Sequence, residues 1–166
     1  MGKFFAPNYY FDHINSIPED FFSSRGITGV ICDIDNTLIT YDDAHPTEDA
    51  LRFLECLRRQ RVKVVLASNN NRRRVETFNS TLGLPAFFSS TKPLSRRIFK
   101  RSMKIMDSTP QTTAVIGDQI FTDVLGTRMS GIKCAILVQP IRPEKHAILR
   151  GKRKVEGWFL RGFEND

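Results

Sequence analysis

From about residue 27 onward, short and nearly continuous apolar runs alternate with stretches whose apolar residues recur every three or four positions. The runs at 27–33, 62–67, 113–117 and 133–138 read as strands buried on both faces, because a strand with one wet face would alternate apolar and polar residues. A weaker run at 86–89 reads as a fifth strand. Between them, 47–59 sets Ala50, Leu51, Leu54 and Leu57 on one side of a helix, with Glu48 and Asp49 in the first turn, where the helix dipole favours acids. The stretch 71–82 opens at Asn71, a residue suited to capping, and stops at Gly83. The stretch 93–106 carries Leu94, Ile98, Ser102 and Ile105 on one face, and a short helix at about 121–130 ends at Gly131. Strands alternating with helices dictate a parallel sheet wound with right-handed crossovers, so the expected fold is α/β with five parallel strands.

Two segments fall outside this alternation. Residues 1–22 hold Phe4, Phe5, Tyr9, Tyr10, Phe11, Phe21 and Phe22, with Pro18-Glu19-Asp20 shaped like a helix start. Residues 141–161 read as a basic helical tail interrupted by Gly151 and Gly157. There is no internal repeat and no low-complexity linker. A length of 166 residues suits one domain over 1–166, with 1–26 as an aromatic-rich N-terminal segment and 141–166 as a basic C-terminal tail.

Composition narrows the class. With 40% hydrophobic and 26% charged residues the chain is neither disordered nor fibrous nor a disulfide-framed mini-protein. No apolar run approaches the ~20 residues that cross a bilayer, and the N-terminus lacks a signal core, so the expectation is a soluble, cytoplasmic protein. Cys32, Cys56 and Cys134 form no CxxC pair and read as reduced thiols packed as small apolar residues. His13, His45 and His146 offer no zinc spacing, so any metal must be held by oxygen. The net charge of +7 is concentrated in Lys92, Arg96, Arg97, Lys100, Arg101 and Lys104, and again across 141–161. Such clusters suit an anionic partner, whether substrate phosphate, nucleic acid or an anionic membrane, and equally suit a solvated face.

Ligands of open α/β sheets bind beyond the carboxyl ends of the strands. The first strand runs into Asp33-Ile34-Asp35-Asn36-Thr37-Leu38, the second into Ser68-Asn69-Asn70, the weak strand into Thr91-Lys92-Pro93, and the next into Gly117-Asp118 with Asp123 beyond. Acids, a hydroxyl and a lysine thus converge on one edge. A carboxylate there can attack phosphorus in line and form an aspartyl-phosphate. Period-2 geometry, if it persists past the strand, points Asp33 and Asp35 to one side, so one can attack while the other protonates the leaving oxygen and then activates water. A hard cation such as magnesium, held by Asp33 and Asp118, would offset repulsion between these acids and a phosphate. Lys92, the Ser68 hydroxyl and the backbone N–H groups of Asn69 and Asn70 would hold the phosphoryl oxygens.

This ordered set resembles the four motifs of the haloacid dehalogenase (HAD) superfamily: Asp33-Ile34-Asp35-Asn36-Thr37, Ser68, Lys92, and Gly117-Asp118 with Asp123. The resemblance implies a three-layer, Rossmann-like core. It also implies Asp33 as nucleophile and Asp35 as general acid/base. Magnesium would be bound by the Asp33 side chain, the Asp35 backbone carbonyl and Asp118, with Asp123 assisting. Branches of the superfamily that act on carbon–halogen or phosphonate bonds lack an acid at the place of Asp35, so the match favours phosphate esters. The intervals from Asp35 to the second strand and from Ser68 to Lys92 each hold one helix and one strand, which leaves no room for a cap domain. An uncapped site admits bulky substrates, with 40–46 as a short flap where Tyr41 or His45 would be placed to touch substrate or would simply be exposed.

A narrower resemblance is carried by Ser68-Asn69-Asn70-Asn71 followed by Arg73 and Arg74, by Leu82-Gly83-Leu84-Pro85, by Lys92-Pro93, by Ile116-Gly117-Asp118-Gln119 through Thr122-Asp123-Val124-Leu125-Gly126, and by an opening Phe4-Phe5-x-Pro7. These are similar to the capless YqeG-type subfamily (IIIA), related to mitochondrial phosphatidylglycerophosphate phosphatases. That implies an anionic phospholipid as substrate and peripheral contact with the inner face of a membrane. The alternatives are a phosphatase for soluble sugar, nucleotide or nucleic-acid-end phosphates, and a non-catalytic basic module for RNA or ribosomes on the same scaffold.

Overall fold

The computed structural model describes residues 5–89 and 96–142. In chain order the elements are β1 (Tyr9–Phe11), a 3-10 turn (Ile14–Ser16), α1 (Phe21–Ser24), β2 (Gly29–Cys32), α2 (Glu48–Arg59), β3 (Lys63–Ser68), α3 (Arg72–Asn79), β4 (Ala86–Phe88), α4 (Arg96–Met106), β5 (Thr113–Gly117), a π-helical turn (Ile120–Val124) running into α5 (Leu125–Met129), and β6 (Cys134–Val138). The strands form one sheet in the order β1-β6-β5-β2-β3-β4, every pair parallel.

Apolar residues alternate between the two sides of the sheet. Val30, Cys32, Leu66, Ala114 and Ile116 meet Phe22, Phe53, Leu57 and Phe78 on one face. Ile31, Val65, Ala67 and Val115 meet Phe99, Met103 and Met106 of α4 on the other, while Ala135 and Leu137 pack beneath Ile120 and Val124. Ile31 is paired to Val65 on one side and Val115 on the other, which places β2 at the centre and buries all four of its residues. The result is the three-layer α/β core.

The sheet has six strands rather than five. The extra one, β1, lies within the aromatic segment and pairs Tyr9 with Ile136 and Phe11 with Val138. Three residues at a sheet edge are too few to show a period, so the pattern hid it. Among the described residues of this segment, Phe11, Phe21 and Phe22 are buried and Phe5, Tyr9 and Tyr10 are half-buried, while Phe4 lies outside the described residues. Phe21 stacks edge-to-face on Tyr9, Phe11 and Phe22 at 4.8, 5.5 and 5.2 Å, and Phe22 reaches Phe53 at 6.3 Å. The helix start at Pro18-Glu19-Asp20 leads into α1.

Helix boundaries follow capping chemistry. Thr47 Oγ1 accepts from the Ala50 N–H at 3.3 Å and Asn71 Oδ1 from the Arg74 N–H at 2.9 Å. The core-facing stripes are rotated from the expected ones. On α2 the buried residues are Ala50, Phe53 and Leu57, whereas Leu51 is 45% exposed. On α4 they are Phe99, Ser102, Met103 and Met106, and Ile105 is 49% exposed. In both helices a larger side chain competes with a smaller aliphatic one, and burying the larger removes more apolar area from water. The displaced Leu51, Leu54 and Ile105 join Val62, Leu84 and Pro85 along a groove of about 480 Å³ at the N-terminal ends of the strands. The expected start of this helix at 93–95, Leu94 included, and the basic tail from 143 onward lie outside the described residues.

Cys32 and Cys134 are buried and Cys56 is half-buried, all as free thiols. Burial pushes the Cys134 thiol up to about 11, so it stays protonated near neutrality. No described helix is long and apolar enough to cross a membrane.

Candidate active site

β2, β3 and β5 all deliver their last residues to the same end of the sheet. β2 stops at Cys32, and the chain then closes a tight turn in which the Leu38 N–H donates to Ile34 O at 2.9 Å and the Asn36 N–H to Ile39 O at 2.7 Å. Asn36 takes φ +62, a left-handed conformation that asparagine tolerates. Asp33 and Asp35 lie beyond the end of β2, and both line one pocket.

That pocket, about 220 Å³, is lined by Asp33, Asp35, Tyr41, Ser68, Asn69, Asn70, Gln119, Thr122 and Asp123. Carboxylate oxygens of Asp33, Asp118 and Asp123 all lie within 4.8 Å of one another, and the three residues are buried. Burial, and secondarily the neighbouring Asp123, Asp118 and Asp35 carboxylates, push the Asp33 carboxyl well above the usual carboxylate range; a hydrogen bond from Thr37 Oγ1 at 3.1 Å opposes this. A buried triple-acid cluster of this kind fits an all-oxygen divalent cation site, because a cation relieves the repulsion that would otherwise hold a proton there.

Local sequence accounts for the closeness of Asp123. A Cβ on Gly117 would lie 2.2 Å from the Asp123 carboxyl, so only glycine fits at the end of β5. The π-helical turn then presents Asp123, whose Oδ2 accepts from the Gln119 N–H at 3.0 Å.

Ser68, the last residue of β3, accepts through Oγ from the Asn70 N–H at 3.0 Å. Asn69 Oδ1, Gln119 Oε1 and Thr122 Oγ1 are buried and have no hydrogen-bond partner among the described residues. Lys92 lies outside the described residues. On the flap, Tyr41 lines the pocket and is 48% exposed, whereas His45 is exposed and does not line it.

Both oxygens of the Asp35 carboxylate are engaged by donors. Asn70 Nδ2 donates to its Oδ2 at 2.9 Å, and Arg74 donates to its Oδ1 from Nε at 2.9 Å and from Nη2 at 2.8 Å. Gln119, Thr122 and the role of Arg74 were not foreseen from the sequence. For Arg74 a signal existed: three residues after a helix cap, it sits in the first turn of α3, directly above the strand ends.

A family model for haloacid dehalogenase-like hydrolases matches residues 18–131, which takes in β2 through α5. The chain belongs to the haloacid dehalogenase-like hydrolase family. This HAD hydrolase is 36% identical over 160 residues to the Bacillus subtilis (strain 168) protein named probable phosphatase YqeG, covering 96% of this chain and 92% of that one. Among solved structures, its fold is similar to the cobalt-bound form of the deoxy-D-mannose-octulosonate 8-phosphate phosphatase YrbI from Haemophilus influenzae, with TM-score 0.55 and 17% identity over 82% of this chain and 89% of that one. It is also similar to an uncharacterized protein from Listeria monocytogenes serotype 4b, with TM-score 0.56 and 15% identity over 81% and 99%. Among the described residues of this HAD hydrolase, only α2 stands between β2 and β3, and only α3 between β3 and β4.

Proposed function

We propose that this HAD hydrolase is a magnesium-dependent phosphomonoesterase that works through an aspartyl-phosphate on Asp33. The observation that carries this reading is the buried cluster of Asp33, Asp118 and Asp123 opening on the pocket that Ser68 and Asn69 share. Asp33 attacks phosphorus as the ester P–O bond breaks, and Asp35 passes its proton to the leaving oxygen. Asp35 then takes a proton from the water that attacks the aspartyl-phosphate, releasing phosphate and restoring Asp33. The Ser68 hydroxyl and the Asn69 backbone N–H hold phosphoryl oxygens, and Lys92 takes the same part by family resemblance. Asp33, Asp118 and Asp123, with the Asp35 carbonyl, would hold the magnesium, which supplies positive charge against the phosphoryl oxygens and keeps Asp33 ionised. A carboxyl pushed as high as that of Asp33 is a poor nucleophile without such a cation.

For substrate we favour an anionic phospholipid headgroup of the phosphatidylglycerophosphate type. An uncapped pocket lets a headgroup reach Asp33 from a surface. The exposed face of α4 carries Arg96, Arg97, Lys100, Arg101 and Lys104 with no acid in the helix. Each such cation near an anionic membrane contributes about 1 kcal/mol. The described N-terminal aromatics give this reading little support, since they are buried or half-buried against the domain. The competing reading is a soluble phosphomonoesterase. A phosphate-release screen with magnesium over lipid, sugar and nucleotide monophosphates, beside an Asp33→Asn control, separates the two. Lipid turned over best supports the first, soluble esters turned over best supports the second, and equal release by Asp33→Asn overturns the enzyme reading.

A further inference from the structure

We propose that Arg74 is a positioning residue that yokes the flap at 40–43 to Asp35, so that the flap and the proton-delivering carboxyl are set as one unit. This rests on the phosphatase reading above. The guanidinium serves three acceptors on two segments. Nε and Nη2 both reach Asp35 Oδ1, Nη2 also donates to Thr40 O at 2.9 Å, and Nη1 donates to Asp43 O. The bond is no surface ion pair: the two side chains are 14% and 7% exposed. Arg72, two residues earlier on the same helix, shows the contrast, for it pairs with Glu76 while 72% exposed. Only a planar fork of fixed donors can hold a carboxylate and two separate carbonyls at once.

Two consequences follow from the atoms involved. Asn70 is fixed in orientation because its Oδ1 accepts from the Asn71 N–H at 2.8 Å, so its Nδ2 must face Asp35 Oδ2. Oδ1 thus accepts from two guanidinium N–H groups and Oδ2 from one neutral amide, so both carboxyl oxygens are fixed in place. In the transfer step the Asp33 O–P bond forms, the ester P–O bond breaks, and the proton that Asp35 delivers ends on the leaving oxygen. The flap is held by the same fork. Thr40 N–H and Oγ1 both donate to Asp43 Oδ2, at 3.0 and 2.6 Å, closing a turn that carries Tyr41 over the pocket. Loss of Arg74 therefore leaves Asp35 held by Asn70 alone and removes the link between the carboxyl and the turn, which keeps its own Thr40–Asp43 bonds and the Arg142–Asp42 pair.

Leaving-group dependence separates this role from a merely structural one, using phenyl phosphate and p-nitrophenyl phosphate. The two have nearly the same shape, but phenoxide is the more basic leaving group and needs the proton more. Values of kcat/KM report only the steps through phosphoryl transfer to Asp33. Arg74→Met should lower kcat/KM for phenyl phosphate by about tenfold or more and that for p-nitrophenyl phosphate by less than about threefold, given that general acids contribute about 10²–10⁴. Arg74→Lys should fall between, and in an Asp35→Asn background Arg74→Met should cost less than about threefold with phenyl phosphate. Amide exchange should accelerate across 40–46 in Arg74→Met and not in β5. A parallel loss on both substrates, or no loss on either, overturns the proposal, as does unchanged exchange in the flap. Should Arg74→Met not fold, Arg74→Lys carries the same comparison. Hydrolysis that survives Asp33→Asn is a different failure, that of the phosphatase reading itself.

Discussion

Replacing Asp33 with asparagine should destroy activity and yet stabilise the metal-free protein. Asp33 is 9% exposed and shares a cluster with Asp118 and Asp123 whose oxygens lie within 4.8 Å. Two unit charges at 4.8 Å repel by about 3.5 kcal/mol at an effective dielectric of about 20, and Asp33 faces two such neighbours. Uptake of a proton by the cluster limits the penalty, so relief on the order of 2–4 kcal/mol is the reasonable expectation. In a chain of this size that corresponds to a rise in Tm of roughly 5–15 °C. The amide can keep the hydrogen bond from Thr37 Oγ1. The effect has a direction in pH. Because the folded protein holds the Asp33 proton more tightly than the unfolded chain, the Asp33 contribution to wild-type stability is fully present in acid. It falls as pH rises from the ordinary carboxylate range toward the raised folded value, so the gap to Asp33→Asn opens over that interval. Thermal melts in EDTA from acid to neutral pH, with and without added magnesium, measure this. Magnesium should raise the wild-type Tm and move the variant little. An Asp33→Asn protein that melts at or below wild type in EDTA at neutral pH would refute the account of the cluster.

Chelation with EDTA should abolish phosphate release, and Asp118→Ala should raise the magnesium concentration needed for half-maximal rate in a metal titration. Calcium should inhibit in competition assays with magnesium, since its longer bonds and higher coordination spoil in-line geometry. Gly117→Ala should cost most of the activity and weaken magnesium binding by calorimetry, because the new methyl occupies the place of the Asp123 carboxyl. Phe22→Ala should lower stability by about 3–5 kcal/mol in urea melts, as expected for an aromatic packed against Phe21 and Phe53 at 1% exposure.

What the sequence made legible was whatever depended on order and type along the chain. Apolar runs marked β2, β3, β5 and β6 because a doubly covered strand has no polar face to interrupt it. Asp33, Asp35, Ser68, Asn69, Asp118 and Asp123 gather at one end of the sheet, as their places after the strands imply. Less visible was anything that depends on rotation or reach. Leu51 and Phe53 both suit an apolar stripe on α2, and only packing against Phe22 decides for Phe53. β1 is too short to show a period, and its aromatics resemble a surface patch until Phe21 is seen among them. Arg74 was legible only as part of the motif Ser68-Asn69-Asn70-Asn71 with Arg73 and Arg74, and by its place three residues after the Asn71 cap. Its long side chain crosses to Asp35 and Thr40, and no spacing rule encodes that reach.

Rapid acid quench of the wild-type enzyme with a turned-over phosphomonoester shows whether Asp33 becomes phosphorylated. Fragment mass mapping of the peptide that spans 33–35 should show phosphoryl mass on Asp33, none on Asp35, and none in Asp33→Asn. Phosphate released in the burst with no phosphoryl group on Asp33 at any quench time, or a phosphoryl group on Asp35 instead, would contradict the account.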